Sequence, residues 1–394
     1  MPFLDLKGLS LFGKISVESL ITGPEYSASE IARVTSTSRT FGFNISSDDE
    51  QFIIGAYAAA KVFVYEFDGT NWNKAAEWTK TGRFGYKIAI DGEWAAIANT
   101  PTSGNGSVFI YRKVNGVWGT REIATINTPD AGLGSGFASS VSLSNGTLVI
   151  GHTKANTVGG AHVYVWDGNA WTKQGSLLTV PSVSTRAAGN QNLGIEVSLS
   201  NDTVVVGGSG DTLGKGSGLA FVSKRTGTTW SDPVVIAPET TYLDGYGWSV
   251  RARGNKVVVG APYGNADDNI PGRVFLYDYS NSTPTLERIF TVKTDRSDLI
   301  QDTQMTTSDS FGWAIDLSPN GNVLAVGSIN RFGNRGAVYV YEKLNNVWGV
   351  SALPDSRLTA TVAAASNRFG SAVAFVQDGL VVGAYGLGAF YWFI

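Results

Sequence analysis

Phe369-Gly370, two further residues and Val373 open the last stretch of the chain, Asp378-Gly379 makes a turn, Val381-Val382-Gly383-Ala384 follows, and Phe390-Tyr391-Trp392-Phe393 comes last. Asp-Gly tolerates positive φ and is a strong hairpin signal, so the first two apolar segments read as paired strands. The second ends in Gly plus a small residue. The third is apolar on both faces, which suits a sheet covered on both sides.

The pattern recurs. Its opening phrase (an aromatic residue or Leu, a small residue, two residues, then Val or Ile) also stands at Phe41-Gly42, Phe84-Gly85, Phe137-Ala138, Leu193-Gly194, Tyr246-Gly247 and Phe311-Gly312. That makes seven copies about 43 to 65 residues apart, a repeat period that signals stacked supersecondary units. Each is followed by a second strand: Ile53-Ile54-Gly55-Ala56, Ala96-Ile97-Ala98-Asn99, Val149-Ile150-Gly151-His152, Val205-Val206-Gly207-Gly208, Val258-Val259-Gly260-Ala261 and Ala325-Val326-Gly327-Ser328. Third strands such as Val62-Phe63-Val64-Tyr65 and Val338-Tyr339-Val340-Tyr341 come next, then in five repeats a hairpin ending in Trp72, Trp118, Trp171, Trp230 or Trp348. Phe332-Gly333 mimics the opening phrase but lacks what should follow.

Six outer, fourth strands are expected near 76–80, 121–126, 176–180, 234–237, 287–292 and 357–362. The seventh repeat has none after it, and an unclaimed strand of the same type sits at Glu30–Thr35. The fold class expected is therefore all-β: a seven-bladed β-propeller of four-stranded antiparallel blades, its ring closed by an N-terminal outer strand in the last blade. Closure removes an exposed edge that invites aggregation. At 394 residues the chain exceeds the roughly 250–300 at which single cores stop growing, and a ring of repeats satisfies that limit. Two units are expected: an extension over 1–28 and a propeller over 29–394.

Composition agrees and excludes. Gly supplies 48 residues and charged residues only 16%, against about 25% charged on average, as suits short strands joined by tight turns. A net charge of −3 with no basic cluster argues against a nucleic-acid partner. With no cysteine, disulfides and thiolate chemistry are excluded. No run of about 18 apolar residues exists, so no membrane span is expected. Asp5, Lys7, Lys14 and Glu18 interrupt anything resembling a secretory h-region.

The Phe-Gly…Gly-Ala pattern resembles the FG-GAP repeat of integrin α-chain propellers and their bacterial and viral relatives, over 29–394. The resemblance implies a propeller, and often an Asp-rich calcium loop between strands one and two. Here those turns read Ser46-Ser47-Asp48-Asp49-Glu50, Asp91-Gly92-Glu93 and Ser144-Asn145-Gly146, too short or too poor in oxygen ligands for a hard cation that wants about six to eight. No metal and no cofactor is expected.

Strand alternation puts the loops 99–106, 153–160, 181–192, 208–218, 262–272, 294–310 and 328–336 on one face. Long loops on a rigid scaffold are where binding usually sits, so this face is the expected binding surface. Tyr57, Tyr263 and Tyr385 follow second strands at matching positions and suit sugar stacking, protein contact or packing between blades. Asp267, Asp268, Asp295, Asp298, Asp302 and Asp309 fall on loops of neighbouring blades; they read as cation ligands, as contacts for a basic partner, or as solvated carboxylates. Arg331 and Arg335 flank Gly333, placed either to grip an anionic sugar or simply to keep the loop soluble. His152 and His162 lack the spaced partners of a metal site or triad and read as structural or surface residues.

Residues 1–28 carry Phe3, Leu4, Leu6, Leu9, Leu11, Phe12, Ile15, Val17, Leu20 and Ile21, too apolar for a solvated tail. They are expected to dock, on the chain's own propeller or on another structural protein. The function expected is a non-catalytic binding and structural module: a virion-associated display or adhesion protein, virion-bound or extracellular, that meets a host-surface protein or glycan through the long-loop face. The alternatives are a secreted or cell-surface bacterial adhesin and, with less support, an enzyme with a central-channel site.

Overall fold

The computed structural model describes residues 30–38, 40–48, 50–101, 105–129, 135–153, 155, 158–180, 192–210, 218–237, 245–263, 271–281, 283–292, 305–306, 308–345, 347–348, 354–362, 365–377 and 379–394. Within them seven antiparallel sheets stand round a central channel. Blade 1 comprises Asn44–Ser47, Gln51–Ala56, Lys61–Phe67 and Trp72–Thr79, from channel to rim. The innermost strands of blades 2 to 6 are Phe84–Asp91, Phe137–Ser144, Glu196–Ser200, Ser249–Arg253 and Phe311–Leu317. Blade 7 is built of Phe369–Val376, Gly379–Ala384 and Ala389–Phe393, and its outer strand is Glu30–Thr35. Arg33 pairs with Tyr391 and Val34 with Phe390, so the two ends of the propeller share one sheet, as the strand count predicts.

The outer strands depart from the expected simple pattern. In blades 1 and 3 they begin at the Trp itself, as Trp72–Thr79 and Trp171–Leu178. In blades 2, 4 and 6 they are split, for example into Thr229–Trp230 and Val234–Ile236. Ser231-Asp232-Pro233 lies between those two pieces, and proline brings no N–H to a ladder.

The repeat phrase is an interface code. Its opening residue is fully buried in every copy: Phe41, Phe84, Phe137, Leu193, Tyr246, Phe311 and Phe369. Buried apolar side chains form clusters that each span two adjacent blades, and each motif aromatic brings roughly 1.5–3 kcal/mol of apolar burial. The glycines serve the same contact. A side-chain carbon built on Gly383 would lie 2.1 Å from the carbonyl oxygen of Gly42 in the next blade, while Gly42 itself has φ 87°, a region that only glycine adopts without strain. Only the junction of blades 2 and 3 lacks both glycines, carrying Ala98 and Ala138 instead; Ala138 is forced to φ 65°.

Short polar side chains on the innermost strands complete the ring. Ser46 Oγ accepts from Ile90 N at 3.3 Å, Ser142 Oγ from Leu199 N at 2.9 Å, and Ser198 Oγ from Ala252 N at 3.0 Å. Nearer the long-loop face, Ser140 Oγ donates to Gly194 O at 2.7 Å, Ser249 Oγ to Gly312 O at 2.8 Å, and Ser371 Oγ to Gly42 O at 2.9 Å across the seam. Blades present backbone to one another at the axis, and buried backbone groups need partners. The Ser-rich, charge-poor composition supplies them.

Candidate functional site

The residue two places after each motif aromatic enters the channel from the long-loop face, just past the turn made by the motif glycine. At these positions stand Phe43, Tyr86, Ser139, Ile195, Trp248, Trp313 and Ser371. Four are aromatic, all half-buried, and all line a cavity of about 380 Å³ at the channel mouth.

Two aromatic groups form there. Phe43 lies 4.7 Å from Tyr57, 5.8 Å from Tyr86 and 5.3 Å from Tyr385, centroid to centroid. The Arg83 guanidinium covers the rings of Tyr86 at 4.2 Å and Tyr57 at 4.8 Å, a cation–π contact. In the second group Trp248 meets Trp313 at 4.7 Å and Tyr263 edge-on at 5.5 Å. The first group draws on blades 7, 1 and 2, so it exists only because the seam closes. The second belongs to blades 5 and 6.

Charged side chains sit deeper. Lys87 of blade 2 is paired with Glu196 of blade 4, and Arg251 Nε of blade 5 lies 2.8 Å from Asp316 of blade 6. Burial is the largest single influence on Lys87 and works to lower its pKa, but the charge of Glu196, the neighbouring Tyr86 and the hydrogen bond to Glu196 together outweigh it and hold the ammonium above the ordinary lysine value. The Asp316 carboxylate is almost fully buried at 1% exposure and also accepts Phe375 N at 2.8 Å. The mouth is therefore aromatic at its wall and charge-balanced towards its floor.

The sequence-derived candidates divide. Tyr57 and Tyr385 converge on Phe43, and Tyr263 stands against Trp248, so all three touch rings that line the mouth. Asp267, Asp268, Asp295, Asp298 and Asp302 lie outside the described residues. Arg331 is buried, 5% exposed, with its guanidinium 3.7 Å from Asp309 and 4.0 Å from the Phe332 ring. That placement makes it a packed loop residue rather than an outward-facing cation, because Phe332 at φ 55° folds the turn back over it. Arg335 is exposed. His152 and His162, read from the sequence as structural or surface residues, are fully buried together, Nδ1 to Nε2 at 3.2 Å. They lie on paired strands, where Ile150 faces His162 and His152 faces Gly160. Among the described residues no three His, Cys, Asp or Glu side chains gather as a metal site, and no helix is long and apolar enough to cross a membrane.

Sequence reasoning passed over Phe43, Tyr86, Trp248, Trp313 and Arg83. The signal lay within the repeat phrase, in the variable place after the glycine, where four of seven copies carry a large ring.

Residues 354–389 match the family model described as FG-GAP repeat. A comparison with curated proteins found no match. The matched segment begins in the outer region of blade 6 and runs through the first two strands of blade 7, taking in the Phe369-Gly370 and Gly383-Ala384 pairs that meet the neighbouring blades. Seven sheets close into one ring, so the chain is a seven-bladed β-propeller, and the matched repeat at 354–389 supports its likeness to the FG-GAP, integrin α-like kind.

Proposed function

We propose that this propeller is a non-catalytic binding module whose ligand seat is the aromatic mouth on the long-loop face. The observation that carries the reading is the convergence of Tyr57, Tyr86 and Tyr385 on Phe43, facing the Trp248–Trp313 pair across one cavity. Rigid aromatics with a wet polar edge give large contact area at low entropic cost, and a concave, partly apolar pocket with a few polar groups is the usual form of a binding site. The Lys87–Glu196 and Arg251–Asp316 pairs are matched in charge, which favours a structural use of these groups over acid–base work.

In this reading the chain serves display or adhesion on a virion, held by residues 1–28 on another structural protein, while the mouth meets a host-surface protein or glycan. The support is the apolar extension beside a cysteine-free ring. Fluorescently labelled chain applied to a panel of bacterial envelopes and host cells tests it. The wild type should coat at least one surface, and Tyr57→Ala combined with Trp248→Ala should reduce coating roughly tenfold, equivalent to about 1.4 kcal/mol, with unchanged circular dichroism. Equal coating by both would overturn the mouth as the seat.

A further inference from the structure

We infer that the mouth takes a neutral carbohydrate ring, an assignment that rests on the mouth being the ligand seat. The argument is one of charge and shape. A cationic guest would approach Arg83, which already covers the faces of Tyr57 and Tyr86, with Lys87 and Arg251 beneath. An anionic guest would find Lys87 and Arg251 already paired with Glu196 and Asp316, and the Glu196 carboxylate itself in the lining. Burying a charge without a partner is costly, so the cavity selects against either sign.

A wholly apolar guest fits poorly too. Asn44, Ser139, Thr153 and Asn192 interleave with the rings along the lining, and such groups cost free energy when covered by something that cannot hydrogen-bond. What matches is a molecule with one apolar face and a rim of hydroxyls. A pyranose has that form: its axial C–H face stacks on an indole while its equatorial hydroxyls reach polar neighbours. Trp248 and Trp313, 4.7 Å apart with their planes at 44°, are tilted against each other and both contribute indole surface to the cavity lining. The cavity of about 380 Å³ lies at the small end of ligand sites, roughly 300–1,000 Å³, which suits one sugar ring or the end of a chain.

The test uses the full chain labelled with 5-fluorotryptophan, with the Trp248 and Trp313 signals assigned by single Phe substitutions. It is titrated with neutral tri- and tetrasaccharides of glucose, galactose, mannose, rhamnose and N-acetylhexosamines, with oligogalacturonate as the anionic arm, and with an Arg-rich peptide as the cationic arm. The assignment requires that a neutral sugar move both signals, that Trp313→Ala weaken it roughly tenfold, and that Trp313→Phe, which keeps a flat face, stay within about threefold. If only the oligogalacturonate or the peptide moves the signals, the mouth remains a ligand seat and the neutral-sugar assignment is overturned. If no probe moves them, the neutral-sugar assignment fails, and the mouth as a seat stands or falls with the coating experiment.

Discussion

The α-carbon of Gly383 in the last blade packs against the carbonyl oxygen of Gly42 in the first so closely that a methyl group there would stand 2.1 Å from it. The same relation joins Gly327 to Gly370 at 2.1 Å and Gly55 to Gly85 at 2.2 Å. The two glycines of the repeat are thus the two sides of one contact between blades, and the sequence pattern recurs because the contact does.

Gly383→Ala should therefore destabilise the ring by about 1–3 kcal/mol, the usual range for forced overpacking, since backbone on both sides of the seam has to shift. Denaturant unfolding measures it; a loss below about 0.5 kcal/mol, within surface-substitution scatter, would mean the seam is loose.

Ala138→Gly should act in the opposite direction. Ala138 holds φ 65°, and left-handed backbone costs an L-residue about 1–2 kcal/mol, part of which glycine returns as greater unfolded-state entropy. A net gain of roughly 0.5–1 kcal/mol is expected from these two terms. A higher unfolding midpoint for the variant is the readout, and an unchanged or lowered one counts against strain at this junction.

The fold was legible because its cause is local and repeated. Phe-Gly and Gly-Ala are contacts that every blade makes, and the missing fourth strand after Phe390-Tyr391-Trp392-Phe393 pointed directly to Glu30–Thr35. The split outer strands were less legible, since strands at the rim touch one neighbour instead of two and tolerate Gly119 or Pro233. At the site, Tyr57, Tyr263 and Tyr385 stood out by their shared place after strand two. Their partners Phe43, Tyr86, Trp248 and Trp313 did not, because they occupy the position the repeat leaves variable, and which of the seven rings face each other is set by the closed circle. The burial of Arg331 was equally hidden, arising from positive φ at Phe332 and Gly333.

Acid should reveal the Asp278 pair. A hydrogen bond from Lys256 Nζ at 2.8 Å, with a further one from Ser280 N, lowers the Asp278 pKa from 3.8 to about 2. A carboxylate whose pKa falls on folding stabilises the fold above its unfolded value, and that contribution is lost as pH falls through the folded one. Asp278→Asn should melt below the wild type at neutral pH, with the gap narrowing between pH 3.8 and about 2. A gap that stays constant across that window would assign the effect to packing.

Calcium should not be required for folding. The turns after the innermost strands are instead tied to those of the next blade by side chains: Asp48 Oδ2 accepts Gly92 N at 2.6 Å, and Asp91 Oδ2 accepts Asn145 N at 2.7 Å. Thermal melts with added calcium and with chelator should superimpose. A shift of several degrees, roughly 1 kcal/mol or more on a chain of this size, would show a cation site in the ring.

Ring closure through Glu30–Thr35 underlies both the fold and the mouth, because Tyr385 and Tyr57 reach Phe43 from opposite sides of the seam. Native-state hydrogen exchange on the chain starting at residue 29 and on the chain starting at residue 37 tests it most directly. The longer form should keep the amides of Ala389–Phe393 and of 41–57 protected as in the full chain; the shorter form should lose that protection together, as the unpaired last blade frays and the first follows. Undiminished protection in the chain starting at residue 37 would contradict the closure on which the account rests.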